Sequence, residues 1–176
     1  MGKRVLVTSF ATWRPDQRSN ASDDLLVAAQ QEGMPASVTC MRQLPVNSPV
    51  AKDITIAKVN HLHPEVIICC GMAESRQKLT VERQATVRGR TLKTPIDLKE
   101  LIQGLHTVEI SEDAGRFVCN SLYYAMLDYL SIHHPDRLCL FVHVPVLMPE
   151  HQSSLIADFR CIVDRLVQCN GIDLCL

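Results

Sequence analysis

The chain has 176 residues, of which 47% are hydrophobic and 21% charged, the size of one domain with a full core. With 18 Lys and Arg against 19 Asp and Glu, its net charge is −1. That balance gives no electrostatic basis for nucleic acid or an anionic membrane as the main partner. No apolar run approaches the roughly 20 residues that span a bilayer.

Met1-Gly2-Lys3-Arg4 passes directly into Val5-Leu6-Val7 without the apolar segment and small-residue cleavage site of a secretory signal, so no signal peptide is expected. Lys3 to Phe10 reads as a short buried strand. Ser22 is a candidate N-cap, followed by acidic Asp23 and Asp24 and then Leu25, Leu26, Ala28 and Ala29, with Gly33 as the stop. Ser37 to Leu44 is a second strand. Ser48-Pro49 opens a helix that continues to about His61. Val66 to Cys70 is a third strand, ended by Gly71.

Leu79 to Leu105, rich in Arg and Lys, lacks a clear period and is expected to hold exposed loops and a short strand. Val108-Glu109-Ile110 is a further strand candidate. Cys119 to Ile132 carries apolar residues at helical spacing and stops at His133-His134-Pro135. Leu138 to His143 reads as a strand, and Gln152 to Gln168 as a long amphipathic helix. The alternation predicts one three-layer α/β domain over residues 1–176, its mostly parallel sheet flanked by helices. Such sheets carry their sites in loops at strand ends.

Eight cysteines are many for this length, yet there is no C-x-x-C pair. Cys69, Cys70, Cys139 and Cys161 read as small buried hydrophobes in a reducing compartment. His61-x-His63 and His133-His134 lie at helix ends, where imidazole complements the dipole. No cysteine or carboxylate completes a zinc spacing around them, so no metal site is expected.

Cys119 differs from the other thiols because it opens a helix. The macrodipole there favours a thiolate, and backbone N–H groups without intrahelical partners are available to a developing oxyanion. His143 ends a strand, where an imidazole could take a proton from a thiol and return it to a leaving amine. Glu82 is the best-placed carboxylate to orient that imidazole. From residue types alone, other readings stay open. Cys119 could be a structural thiol, His143 a core histidine, and Glu82 a surface carboxylate paired with Arg83 or Lys78. Phe10 and Trp13 suit either a pocket or the core.

Several segments, in order, resemble the pyroglutamyl peptidase I family, the cysteine peptidases that remove N-terminal pyroglutamate. Val5-Leu6-Val7-Thr8-Ser9-Phe10 resembles its opening strand, and Asn20-Ala21-Ser22 its Asn-Pro-Ser. Leu44-Pro45-Val46 and His63-Pro64-Glu65-Val66-Ile67-Ile68 resemble later landmarks. Gly71-Met72-Ala73-Glu74-Ser75-Arg76 with Val81-Glu82-Arg83-Gln84-Ala85 resembles the glutamate signature. Ser111 to Asn120 resembles the cysteine signature, and Phe141-Val142-His143-Val144-Pro145 the histidine signature.

The resemblance implies a phosphorylase/hydrolase-like α/β fold with Cys119 as nucleophile, His143 as general base and acid, and Glu82 as the orienting carboxylate. It implies Phe10 and Trp13 stacking on the lactam ring, Phe117 and Val118 walling the pocket, and Gly71 and Met72 among the substrate contacts. It places the Cys119 N–H in the oxyanion hole, with Arg88 and Arg90 as candidates for a second donor. It also implies a cytoplasmic homo-oligomer, dimer or tetramer, without metal or cofactor, acting on small peptides that begin with pyroglutamate.

The sequence departs from the pattern at Ser9 (glycine in the family), at Met72, at Glu74-Ser75 (a glycine pair), and at Gln84 and Val87 (valine and asparagine). The interval from Glu82 to Cys119, 119 − 82 = 37 residues, is shorter than the family's. These departures keep two alternatives in view: a cysteine hydrolase of another amide or lactam-like substrate, and an inactive binding homologue.

Overall fold

A run as uniformly apolar as Val5-Leu6-Val7 suits a strand covered on both faces. The computed structural model describes residues 2–168 and places that run at the centre of a sheet. The chain forms β1 (Val5–Phe10), α1 (Ala21–Gln31), β2 (Val38–Leu44), α2 (Ser48–Leu62) and β3 (Val66–Met72). Next come β4 (Leu79–Glu82), β5 (Gln84–Val87), β6 (Arg90–Lys93), α3 (Leu98–Leu101) and β7 (Val108–Ser111). The last elements are α4 (Val118–His133), β8 (Leu138–Val144) and α5 (Gln152–Gln168).

The six-stranded sheet has the order β2-β1-β3-β8-β4-β7. Its first four strands are parallel; β4 runs antiparallel to β8 and parallel to β7 at the edge. Leu25, Leu26, Leu98, Leu155 and Phe159 from α1, α3 and α5 pack with Val5, Val7 and Ile68 on one face. Ala51, Val59, Leu122 and Met126 from α2 and α4 pack with Leu6, Ile67 and Phe141 on the other. The expected α/β architecture is therefore present. Among the described residues, no helix is long and apolar enough to cross a membrane.

Local expectations are corrected at several points. Asn20, not Ser22, caps α1: its Oδ1 accepts the Ser22 N–H at 3.0 Å. The Ser22 hydroxyl donates to the same oxygen and accepts the Phe10 N–H, so it joins the helix start to β1. Asn47, not Ser48, caps α2 through the Val50 N–H. An asparagine carbonyl, two residues earlier at α1 and one earlier at α2, wins both positions, because it reaches the unpaired first-turn donors. β3 continues through Gly71 to Met72.

The larger miss is residues 79–105, which hold three strands and a one-turn helix. β4 is buried at every position. Leu79-Thr80-Val81-Glu82 alternates apolar and polar residues, but four residues are too few for a period to emerge. The β5–β6 hairpin packs beside α4, where Asn120 accepts the Thr86 N–H and donates to the Thr86 carbonyl.

Asp23 fastens the ends of β1 and β2 to α1. It accepts the Ser9 hydroxyl at 2.7 Å, two Arg42 nitrogens at 2.8 Å each, and the Gln43 side-chain amide at 3.2 Å. The β1–β2 register shifts between Thr8 and Phe10, and Gln43 adopts a left-handed φ of 61°. Ser9, a departure from the family pattern, thus has a partner that glycine could not supply. Burial pushes the Asp23 carboxyl up, but the hydrogen bonds from Arg42, Ser9 and Gln43 outweigh it and hold the group below the ordinary carboxylate range. Stability from a lowered carboxyl is present above the unfolded value, near 3.9, and is lost as pH falls through the folded one. Asp23→Asn should therefore cost on the order of 1–3 kcal/mol at neutral pH. Urea melts across pH should show the variant's deficit closing below about pH 4.

Candidate active site

The tight turn before α4 uses Gly115 at a φ of 79°, with its N–H donated to the Asp113 carboxylate. Phe117 is the extended N-cap residue and makes no side-chain capping bond. Cys119 thus falls in the first turn of α4, among N–H groups that lack intrahelical acceptors. Directly beneath its sulfur lies β3. A Cβ built on Gly71 would stand 2.5 Å from Cys119 Sγ and 2.9 Å from Phe141 Cζ. Only glycine leaves the thiol its seat.

Gly71 pairs in register with His143 on β8. On the far side of β8, Glu82 of β4 stands opposite Phe141, one diagonal step from His143 on the same face. His143 Nδ1 lies 2.7 Å from Glu82 Oε1. A carboxylate only accepts, so Nδ1 carries a proton, and in the neutral tautomer this leaves Nε2 bare. Glu82 is fully buried, which excludes the surface-carboxylate reading; Arg83 pairs with Glu112 instead. Tyr123 donates its hydroxyl to the Glu82 carbonyl at 2.8 Å, and its ring packs on Phe141.

Cys119 is 8% exposed. Burial, then the neighbouring Cys69 and, to a lesser degree, Glu82, push its thiol up to about 12, against a smaller backbone contribution in the other direction. The expected thiolate is corrected: desolvation outweighs the ~0.3–1 kcal/mol that a helix dipole supplies. At rest the Cys119 sulfur is a thiol, and ionising it would take a base.

Cys119 and His143 line a cavity of about 160 Å³ with Phe10, Trp13, Met72, Phe117 and Val118. Phe10 is buried and still contributes to the wall, so its pocket and core readings both hold. Trp13 (38% exposed) and Phe117 (56% exposed) form the rim, their ring centroids 6.1 Å apart. Met72 Sδ accepts the Ala21 N–H at the start of α1. Gly71 does not line the cavity; it supports the thiol from behind. Arg88 and Arg90, expected near an oxyanion, sit at the exposed tip of the β5–β6 hairpin, outside the cavity lining.

Residue types alone missed three features. Asn20 and Val46 line the cavity, although both belong to quoted motif segments. Arg76 Nη2 reaches Glu82 Oε1 at 3.3 Å and the Asp113 carbonyl at 3.0 Å. Glu74, where the family has glycine, pairs with Arg14 at 2.7 Å and ties the Trp13 loop to the β3–β4 loop. Cys69, Cys70 and Cys139 are buried as expected, whereas Cys161 is only half-buried. Cys169 and Cys175 lie outside the described residues. Among the described residues, no group of three His, Cys, Asp or Glu is placed to hold a metal ion.

A thiol and an imidazole on one cavity, with a carboxylate behind the imidazole, is an arrangement suited to thiol-peptidase chemistry. One family's sequence model, described as pyroglutamyl peptidase, matches residues 93–159, a span that includes Cys119 and His143. That match and the relatives below make the chain similar to the pyroglutamyl peptidase family. It is 27% identical over 173 residues to the pyrrolidone-carboxylate peptidase of Alkaliphilus oremlandii, covering 84% of this chain and 80% of that one. The pyrrolidone-carboxylate peptidase of Bacillus cytotoxicus is 28% identical over 182 residues, with 89% and 83% covered. The fold matches Bacillus amyloliquefaciens pyroglutamyl peptidase I with a TM-score of 0.79 at 22% identity, over 94% of this chain and 96% of that one. It matches the Thermococcus litoralis pyrrolidone carboxyl peptidase with a TM-score of 0.76 at 20% identity, over 92% of each.

Gly71→Ala should displace Cys119 and lower both the melting temperature and the rate of thiol alkylation; a variant equal to the parent in both would refute the seat. Because the Cys119 thiol is raised, its alkylation by iodoacetamide should be slow at pH 7 and still climb above pH 9. Peptide mass spectrometry would follow it, and a plateau below pH 7 would contradict the assignment.

Proposed function

We propose that the protein removes N-terminal pyroglutamate from peptides, with Cys119, His143 and Glu82 as the catalytic set. One observation carries the reading: the thiol and the imidazole share a small apolar cavity whose volume suits a single ring. Its partner is a short peptide beginning with pyroglutamate. Phe10, Trp13, Met72, Phe117 and Val118 would enclose the lactam, and Gly71 would act through the placement of the sulfur.

In the reaction, Cys119 Sγ attacks the carbonyl that joins pyroglutamate to the next residue while His143 Nε2 takes the thiol proton. Glu82 holds the Nδ1–H and balances the imidazolium as it forms. The Cys119 N–H faces the oxyanion; such donors supply roughly 10²–10³-fold each. The tetrahedral adduct collapses as His143 returns its proton to the leaving amine. A thioester remains, which water hydrolyses with His143 again as base, regenerating the thiol. These side chains and water complete the cycle. We further read residues 1–176 as one functional unit, working in the cytoplasm as a homo-oligomer, dimer or tetramer; the family resemblance supports both placements.

Purified protein should hydrolyse a pyroglutamyl fluorogenic amide and discriminate against the prolyl amide, which lacks the ring carbonyl. Cys119→Ala should reduce turnover by about 10³-fold or more while Cys161→Ala stays near the parent. Equal turnover of both amides, or an active Cys119→Ala, would contradict the proposal.

A further inference from the structure

Glu82 has a second contact besides His143, and it is cationic. Its Oε1 receives His143 Nδ1 at 2.7 Å and Arg76 Nη2 at 3.3 Å, while Oε2 is buried without a partner. Arg76 comes from the β3–β4 loop, and the same Nη2 also donates to the Asp113 carbonyl. Asp113 lies in the loop that turns into α4 and delivers Cys119, and its carboxylate holds the Gly115 N–H of that turn. One guanidinium nitrogen therefore joins the carboxylate behind the histidine to the loop ahead of the nucleophile. It is the only Arg or Lys side chain paired with Glu82 among the described residues.

We infer that Arg76 is a positioning residue for the hydrolytic reaction, fixing the Glu82 carboxylate and the Cys119 loop in one register; the inference rests on the function proposed above. A fully buried carboxylate held only by a neutral imidazole would be an uncompensated charge. It could relieve that state by moving or by taking a proton, and either event frees the imidazole to rotate. Arg76 balances the charge before the reaction begins. It does not line the cavity that holds Cys119 and His143, so it acts through Glu82 rather than on the substrate.

The charged and titratable groups around the contact are Glu82 from β4, His143 from β8, Cys119 and Tyr123 from α4 and Cys69 from β3, with Arg116 at the cavity mouth. Removing one cation from this set favours the protonated forms of its neighbours, so pH profiles should move upward. A purely structural arginine would change stability and leave the profiles in place.

The full-length parent, Arg76→Met and Arg76→Lys would be compared on the pyroglutamyl amide. Arg76→Met should lower kcat by about tenfold or more with KM within about threefold, and its acid limb should move to higher pH. Arg76→Lys keeps a cation without the second reach, and should recover part of kcat. An Arg76→Met kcat within twofold of the parent would overturn the inference, as would a Lys variant no better than Met. Cys119 alkylation separates this failure from that of the function itself. If the parent hydrolyses no pyroglutamyl amide, the functional proposal falls alone. The alkylation profile then decides Arg76: an upward displacement in Arg76→Met sustains the role, and superimposable profiles overturn it.

Discussion

The antiparallel insertion of β4 beside β8 is the constraint on which the site depends. In the parallel part of the sheet, Gly71 and His143 meet in register at the C-terminal ends of β3 and β8. A carboxylate must then come from the other flank of β8. β4 supplies it by running the opposite way, which brings Glu82 opposite Phe141 and diagonal to His143. A shift of one residue in that register would turn Glu82 to the opposite face and leave His143 without its acceptor. The tightest polar contact of the site is therefore set by a strand only four residues long.

The surroundings hold that geometry from three sides. Beneath the sulfur, the missing side chain of Gly71 gives α4 room to bring Cys119 onto the sheet. At the β1 end, Asp23 gathers Ser9, Arg42 and Gln43 around a strand irregularity that precedes Phe10. At the mouth, Arg14 and Glu74 join the two loops that flank Trp13 and Met72. Two of these contacts involve departures from the family pattern, Ser9 and Glu74. The changed residues make polar contacts of their own around Cys119, His143 and Glu82.

The long periodic elements were legible in the sequence. α5 carries its apolar residues on one stripe, and β1, β3 and β8 are apolar runs of strand length. The ordered motifs also pointed to Cys119, His143 and Glu82, and five of the six expected pocket residues line the cavity. The segment around Glu82 was opaque because β4, β5 and β6 are each only four residues long, too short for a period to stand out. Its basic residues suggested oxyanion donors, yet a hairpin carries Arg88 and Arg90 outward. Arg76 escaped notice because a contact across three segments leaves no local period. The helix-dipole argument for a Cys119 thiolate failed for a different reason: sequence position gives the dipole but not the depth of burial.

On the proposed mechanism, Cys119 becomes acylated by the pyroglutamyl group. Rapid acid quench of the protein mixed with an activated pyroglutamyl ester, followed by peptide mass spectrometry, tests it most directly. The expected result is a transient mass increase of one pyroglutamyl group on the peptide that contains Cys119, absent in Cys119→Ala. Turnover of the ester with no adduct on that peptide, or with the adduct on another cysteine, would contradict it.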